Sequence, residues 1–180
     1  MPVTMDLRGR GPAFLEFWRE RHLCSLTTVR PDGTAHVVPV GVTLEPAVGL
    51  ARVITMRGSR KVALVAARGA FDPTGPSAEP GPRSAETDPE GIGIDSELSV
   101  IVNGGAGVDG PPRRRGGARV AVCQIDGGRW STLEGLAVVR DEPAAVAEAE
   151  RRYAERYRTP RVNPQRVVLE ISVTRVLGTL

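Results

Sequence analysis

Several residue types from which catalytic and metal sites are built are scarce in this sequence. Among 180 residues there are two histidines, two cysteines and a single lysine, Lys61. Cys24 and Cys123 are isolated, with neither a Cys-x-x-Cys pair nor a histidine cluster. Buried reduced thiols are therefore favoured over a disulfide or a metal site. The acidic residues do not cluster at the spacing of metal ligands, so we expect no metal centre.

Long apolar segments are also missing. No apolar run is long enough to cross a membrane, and the first twelve residues lack the apolar segment of a signal peptide. We therefore expect a cytoplasmic protein without membrane contact. Aromatic residues make up only 4% of the chain, so the core must be built mainly from valine, leucine, isoleucine and alanine.

The charge is weakly positive, with a formal net charge of +3. Such a balance suits an acidic ligand. The densest basic run, at residues 113–115, lies in a segment rich in glycine and proline without interleaved aromatic residues. A solvated charge run is the commoner explanation for such a pattern, and we expect no nucleic-acid partner.

Motifs of direct catalysis are absent. Neither a G-x-S-x-G elbow nor a Walker loop is present. One G-x-G-x-x-G match, at residues 105–110, is followed by two prolines and an arginine run. A dinucleotide site needs a helix at that point, so chance glycines are favoured. If the protein is an enzyme, a bound cofactor is expected to supply the reactive atom.

Hydrophobic periodicity and turn residues predict a mainly β domain with helices. The count is about six antiparallel strands and two or three helices. Short strands joined by hairpin turns favour a barrel, because closure removes exposed edges. Pro39, within the second strand, predicts an edge or a bulge. Strands are predicted at 23–30, 35–44, 50–55, 120–125, 130–140 and 167–177, and helices at 12–22, 60–67 and 142–160.

A change of composition interrupts this single domain. From about residue 68 to 118 more than a third of the residues are glycine or proline, and periodicity is nearly absent. We interpret the segment as a long flexible insertion. Two alternatives stay open, namely a lid over a ligand site and a segment that is not part of the working protein.

The stretch 51–61 concentrates the features of an anion site. Val53 and Ile54 indicate a strand, Gly58 allows a turn, and Ser59 can cap the helix that follows. The helix start is accompanied by hydroxyl and cationic side chains, from Thr55, Arg57, Ser59, Arg60 and Lys61. A helix N-terminus in such company suits a phosphate. The alternative is a solvated basic loop after a strand.

The order and spacing of several segments resemble a known family. These are residues 23–28 (LCSLTT), 31–33 (PDG), 36–40 (HVVPV), 51–61, 124–130 (QIDGGRW), 133–135 (LEG) and 152–161 (RYAERYRTPR). Together they resemble the split β-barrel flavin and deazaflavin oxidoreductases, the superfamily of pyridoxamine 5′-phosphate oxidase. Within it, the chain is most similar to the group that uses coenzyme F420, particularly the F420-dependent biliverdin reductases.

The resemblance implies a homodimer of split β-barrels of the FMN-binding-like type, with two cofactor sites at the interface. It implies hydride transfer from reduced F420 to a conjugated acceptor, with biliverdin as the first choice. Two alternatives stay open. One is an oxidase or reductase of the same fold that uses FMN. The other is a non-catalytic protein that binds F420 or a tetrapyrrole.

The resemblance also implies where the site lies. The deazaflavin ring is expected against the strand edge 36–40, the phosphate near 55–61, and the segment 124–130 closing the site. Arg129 and Arg161 are the candidate catalytic cations. The expected cofactor-binding residues are His36, Val37, Val38, Pro39, Val40, Thr55, Arg57, Gly58, Ser59, Arg60, Lys61, Gln124, Ile125, Asp126, Arg129 and Trp130.

Overall fold

The computed structural model of the protein describes residues 5–69 and 117–180. Apart from its ends, the insertion predicted at 68–118 lies outside the described residues. The predictions about its role therefore stay predictions. Seven strands and three α-helices are found in the described part. In chain order they are α1 (Pro12–Phe17), β1 (Cys24–Val29), β2 (Ala35–Val40), β3 (Thr43–Glu45), β4 (Leu50–Met56), α2 (Arg60–Gly69), β5 (Ala118–Asp126), β6 (Arg129–Arg140), α3 (Pro143–Arg156) and β7 (Arg166–Thr179).

All seven strands belong to one antiparallel sheet with the order β2-β1-β5-β6-β7-β4-β3. The predicted fold class, a mainly β domain with antiparallel strands and a few helices, is confirmed. The hydrogen-bonded ladder does not close on itself, so β2 and β3 are its two edges. The expectation that closure would remove every edge was therefore wrong for this ladder.

The predicted second strand, 35–44, is in fact two strands. It breaks at Gly41, where an added Cβ atom would lie 2.6 Å from the Tyr153 ring. The next N–H group, of Val42, donates to the hydroxyl oxygen of Tyr157 at 3.0 Å instead of joining a ladder. As a result β2 and β3 lie at opposite edges of the sheet, and the prediction of one strand over 35–44 was wrong. The edge position predicted for Pro39 is confirmed.

Helix α1 is shorter than the predicted helix 12–22. It ends at Phe17 because the carbonyl oxygen of that residue accepts a hydrogen bond of 2.7 Å from the side-chain amide of Gln124. That bond replaces the next step of the helical ladder. Helix α3 likewise ends at Arg156 rather than at Pro160. The remaining elements agree with the predicted ones to within about two residues at each end.

The core is mostly aliphatic, as the composition requires, with its aromatic residues gathered beside α1. Phe14, Phe17 and Trp18 are buried there, and Val62 and Val65 bury one face of α2. Cys24 and Cys123 are free thiols. In the β1–β5 register Cys24 faces Gln124 and Cys123 faces Ser25, which places the two sulfur atoms on opposite sides of the sheet.

Within the described ranges, none of the helices is both long enough and apolar enough to traverse a bilayer.

Candidate functional site

A shallow hollow lies where strands β1 and β2 meet at the edge of the sheet. Its volume is about 310 Å³. The side chain of Val37 is 57% exposed, so an apolar surface borders this hollow. The lining comprises Leu23, Cys24, Ser25, Val37, Val38 and Pro39. Three residues predicted to lie beneath a cofactor ring are therefore part of one open apolar surface.

His36 is the second residue of strand β2 and is held by its neighbour across the β1–β2 pair. The buried hydroxyl of Thr28 lies 3.1 Å from His36 Nδ1. Burial is the largest cause that lowers the pKa of His36 below its usual 6.5, and the positive charges of Arg30, Lys61 and Arg60 lower it further. Both effects favour the neutral imidazole. The charges of Arg60 and Lys61, at the start of α2, therefore act on the start of β2.

The loop that precedes α2 is well ordered by its own contacts. Thr55 is buried, and its hydroxyl oxygen lies 3.3 Å from that of Ser59. The carbonyl oxygen of Ser59 accepts hydrogen bonds from the N–H groups of Val62 and Ala63, which marks it as the first turn of the helix. The predicted strand–loop–helix arrangement is present, with Gly58 in an exposed turn.

The cations of this loop point to two different places. Arg60 and Lys61 act on His36. Arg57 instead pairs with Asp141 beyond the end of β6 at 3.0 Å, and both side chains are about half exposed. The charges of Arg60 and Lys61 thus act on the β2 segment, whereas Arg57 forms a surface ion pair.

Gln124 is fully buried, unlike the other members of its predicted segment. Its Nε2 donates to the carbonyl oxygen of Phe17 at 2.7 Å, and its Oε1 accepts from Arg156 at 2.6 Å. The thiol of Cys24 lies 3.6 Å from the same Oε1. Burial raises the pKa of this thiol to about 11. Gln124 therefore connects β5 to α1 and α3 inside the protomer.

The β5–β6 hairpin carries both apolar and charged groups at its tip. Ile125 is 62% and Trp130 37% exposed, and the two face each other across the hairpin. Arg129 makes a bidentate ion pair with Glu20, with both N–O distances 2.9 Å, and it also contacts Asp126. Its guanidinium lies 5.2 Å from the centre of the Phe17 ring. Arg129 is thus tied to the segment that follows α1.

Within residues 5–69 and 117–180, one group of potential metal ligands meets at this corner. The ligand atoms of Glu20, His22 and Asp126 lie within 4.8 Å of one another. Because the guanidinium of Arg129 contacts both carboxylates, the group is an ion-pair network that already contains its cation. His22 joins it through a 3.0 Å contact with Glu20.

Arg161, the second candidate catalytic cation, lies between α3 and β7. Its side chain is exposed, and its carbonyl oxygen accepts a hydrogen bond from Arg166. None of the contacts that we find among the described residues links it to His36 or to Arg129.

No known protein-family profile matches the chain. A curated protein of Mycobacterium tuberculosis, named F420H(2)-dependent biliverdin reductase, is 38% identical over 165 residues, which are 92% of this chain and 85% of that protein. The chain belongs to the F420H(2)-dependent biliverdin reductase family. The resemblance noted in the sequence is therefore confirmed, and with it the classification as an oxidoreductase.

Solved structures agree on the fold of this biliverdin reductase family member. A conserved hypothetical protein of Mycobacterium tuberculosis gives a TM-score of 0.57 at 16% identity, over 99% of this chain and 87% of that one. A protein titled F420 reductase gives 0.54 at 15% identity over 93% and 98%. A putative pyridoxamine 5′-phosphate oxidase of Listeria innocua gives 0.53 at 11% identity over 92% and 94%. They confirm the split-barrel class predicted for the chain.

Two residues at the end of α3 escaped the sequence prediction for this family member. Arg156 donates to oxygen atoms of three other segments, and the hydroxyl of Tyr157 lies 2.8 Å from the carbonyl oxygen of His22. Burial raises the pKa of Tyr157 to about 12. An arginine at a helix C-terminus is usually explained by the helix dipole, so no specific signal pointed to this role. The only hint was that 152–161 was one of the segments that carried the resemblance.

Proposed function

We propose that this chain transfers a hydride from reduced coenzyme F420 to a conjugated acceptor, with biliverdin as the substrate. The observation that carries the proposal is the 38% identity, over 92% of the chain, to a protein named for that activity. Reduced F420 supplies the hydride from C5 of its deazaflavin ring when it is bound. The protein's own contribution is to orient the two reactants and exclude water.

The chemistry of the described residues suits a ring that carries a phosphate and an acidic tail. The apolar hollow beside β2 is bordered by Val37 and Pro39, which can cover a flat ring. Arg60 and Lys61 are the first two residues of α2, beside the N–H groups of its first turn. Their positive charges lower the pKa of His36. We infer that the phosphate lies at this turn, because a helix N-terminus with cations favours an anion.

Each predicted site residue receives a role on this basis. We assign Val37, Val38, Pro39 and Val40 to the ring and Thr55, Gly58, Ser59, Arg60 and Lys61 to the phosphate, with His36 between the two groups. Arg57 is placed at the rim because it pairs with Asp141. Ile125, Asp126 and Trp130 are assigned to the opposite wall. Gln124, being buried, acts by holding that wall.

A cation near the acceptor would stabilise negative charge that develops during hydride transfer. Arg129 and Arg161 are our candidates. In the protomer Arg129 is shared between two carboxylates, which reduces the field it can exert on an acceptor. The exposed Arg161 has no such neighbours among its described contacts, and a substrate that carries propionate groups could engage it.

We further propose a homodimer that joins the outer faces of β2, β1 and β5. The strand registers place Val37, Pro39, Ile125 and Trp130 on the same side of the sheet, and three of these are large exposed apolar side chains. Contiguous exposed apolar surface is typical of an interaction site. A cytoplasmic location is proposed as well, supported by the two free thiols.

The decisive experiment compares F420 with FMN and then follows turnover. Purified protein is titrated with each cofactor, and reduced F420 is mixed with biliverdin while the return of oxidised F420 absorbance is recorded. We expect much tighter binding of F420 and biliverdin-dependent oxidation of its reduced form. A flavin-loaded preparation would favour the FMN alternative. Binding of F420 without turnover would favour a carrier of F420 or a tetrapyrrole.

A further inference from the structure

Arg156 forms four hydrogen bonds from the last position of α3. Its Nε and Nη2 both donate to the carbonyl oxygen of Glu20, at 3.0 and 2.8 Å. Its Nη1 donates to the carbonyl oxygen of Val42 at 2.6 Å, and Nη2 also donates to Gln124 Oε1 at 2.6 Å. One planar group therefore connects three segments that are distant in the sequence.

These three segments form the walls of the candidate site. Val42 lies two residues after the end of β2, which carries the predicted ring-binding residues. Gln124 opens the hairpin segment 124–130 on the other side. Glu20 holds Arg129 of that hairpin through its carboxylate. The guanidinium of Arg156 thus links the backbone after β2 to Gln124 and to the segment that holds Arg129.

The partners of Arg156 are neutral oxygen atoms rather than carboxylates, and in the described part of the chain it makes no ion pair. One turn earlier on the same helix, Arg152 pairs with Glu45 at 3.1 Å and with Glu148. The guanidinium of Arg156 is also held in place by aromatic rings, 5.8 Å from the centre of the Trp18 ring. A rigid fork of five donors can serve three acceptors at once, whereas a lysine ammonium group cannot reproduce that geometry.

We propose that Arg156 is a positioning residue for hydride transfer, and that the shape of its guanidinium holds the β5–β6 hairpin in place relative to the segment that follows β2. The kinetic consequence of this inference rests on the proposed function. Arg156 touches neither the phosphate side nor the hollow, so its effect reaches the reactants through Gln124 and the Glu20–Arg129 pair.

The first test compares Arg156→Lys with Arg152→Lys. Both variants keep the charge and both lose contacts of α3, so each is expected to lower the melting temperature. Only Arg156→Lys is expected to lower kcat, by about 10- to 100-fold, because small misplacement of reacting groups is costly. Its affinity for F420 stays close to that of the wild type, since the phosphate is bound by α2.

The second test follows the position of the hairpin by ¹⁹F NMR and does not depend on turnover. The chain has two tryptophans, so fluorotryptophan labelling gives two ¹⁹F signals, and the spectrum of Trp130→Phe assigns them. In Arg156→Lys the Trp130 signal is expected to broaden or shift, and in Arg152→Lys it stays in place. Gln124→Met removes the same link from the other side and should reproduce the change if Arg156→Lys fails to fold.

The outcomes separate this inference from the proposed function. If the wild type neither binds F420 nor reduces biliverdin, the proposed function fails while the ¹⁹F signals still report on positioning. If Arg156→Lys and Arg152→Lys have the same kcat and the same Trp130 signal, Arg156 is only a structural contact and the inference is overturned. An equal loss of activity and of folded protein in both variants would overturn it too.

Discussion

Lys61 is the single lysine of the chain, and it lies where the proposed phosphate site and the β2 segment meet. Together with Arg60 and Arg30 it lowers the pKa of His36. Positive charges that disfavour protonation of a neighbouring imidazole favour the binding of an anion at the same place. The residues at this corner therefore allow one prediction about F420 binding and one about the titration of His36.

Replacing Lys61 by alanine is expected to weaken F420 binding by about 1–3 kcal/mol, as for loss of a charged hydrogen bond. A fluorescence titration of F420 measures the change. Arg175→Ala is the control, since it removes one exposed positive charge that pairs with Glu134 on another part of the sheet. Arg57→Ala should cost less than Lys61→Ala because Arg57 is engaged with Asp141. Unchanged affinity in Lys61→Ala would reject the phosphate assignment.

His36 should titrate below 6.5 in the free protein, because burial and the nearby cations both favour the neutral ring. A depressed pKa means that this residue's contribution to stability is present above about 6.5 and is lost as the pH falls through its folded pKa. NMR titration of the two histidines checks this, with His36→Gln for assignment. Adding F420 should raise the pKa, since the bound phosphate offsets the cations. A free-protein value above 6.5 would contradict the arrangement.

The residue-level prediction of the site was possible only in part. The strand, Gly58, the hydroxyls of Thr55 and Ser59 and the three cations at 57, 60 and 61 predicted an anion site from local pattern alone. The proximity of His36 to Lys61 could not be deduced, because it depends on the order of strands that are distant in the sequence. The burial of Gln124 was equally invisible, since its partners are backbone atoms of α1 and the side chain of α3.

Among the elements, β6 and β7 pair in the middle of the sheet through eleven residue pairs, with one irregularity in their register. The register shifts between Glu134 and Gly135. A Cβ atom added at Gly135 would lie 2.3 Å from the carbonyl oxygen of Ser172. The two backbones approach each other there more closely than any side chain allows, so the shift needs glycine.

Gly135→Ala is accordingly expected to lower the free energy of unfolding by about 1–3 kcal/mol through steric overpacking. Urea unfolding followed by circular dichroism measures the loss. Gly128→Ala, in the neighbouring hairpin turn, is the matched control, since no atom lies within 4 Å of its added Cβ. Equal stability of the two variants would show that the sheet adjusts at the bulge without cost.

Element boundaries show where local pattern ends and tertiary contact begins. Alternating apolar residues and the turns at Gly33 and Gly127 placed the strands correctly. The break at Gly41 has another origin, namely the close approach of Tyr153 and the Tyr157 hydrogen bond to Val42. Because those contacts come from a helix more than a hundred residues away, periodicity alone predicted a single strand.

At the scale of the whole molecule, the homodimer that we propose depends on one face of the sheet. Val37 is 57% exposed and lies on the same face as Ile125 and Trp130. The proposed dimer would bury this face and complete the site with the partner protomer. Its formation should therefore depend on the apolar character of Val37.

Val37→Glu is expected to convert the dimer to a monomer and to weaken F420 binding, because a buried unpaired carboxylate is costly. Sedimentation velocity measures the assembly state. Val162→Glu serves as the control, because Val162 is 99% exposed and lies in the segment between α3 and β7. A monomeric wild type at micromolar concentration, or a Val37→Glu variant that stays dimeric, would contradict the proposed interface.

The strand order interleaves the two described parts of the chain. Residues 5–69 supply β1 to β4, which form the two outer pairs of the sheet, and residues 117–180 supply the three strands between them. In this ladder the two outer pairs are joined to each other only through the three strands of the second part. Two fragments produced separately and divided between residues 69 and 117 should therefore reassemble into one particle when mixed, so the protein could serve as a complementation pair that reports when its halves meet.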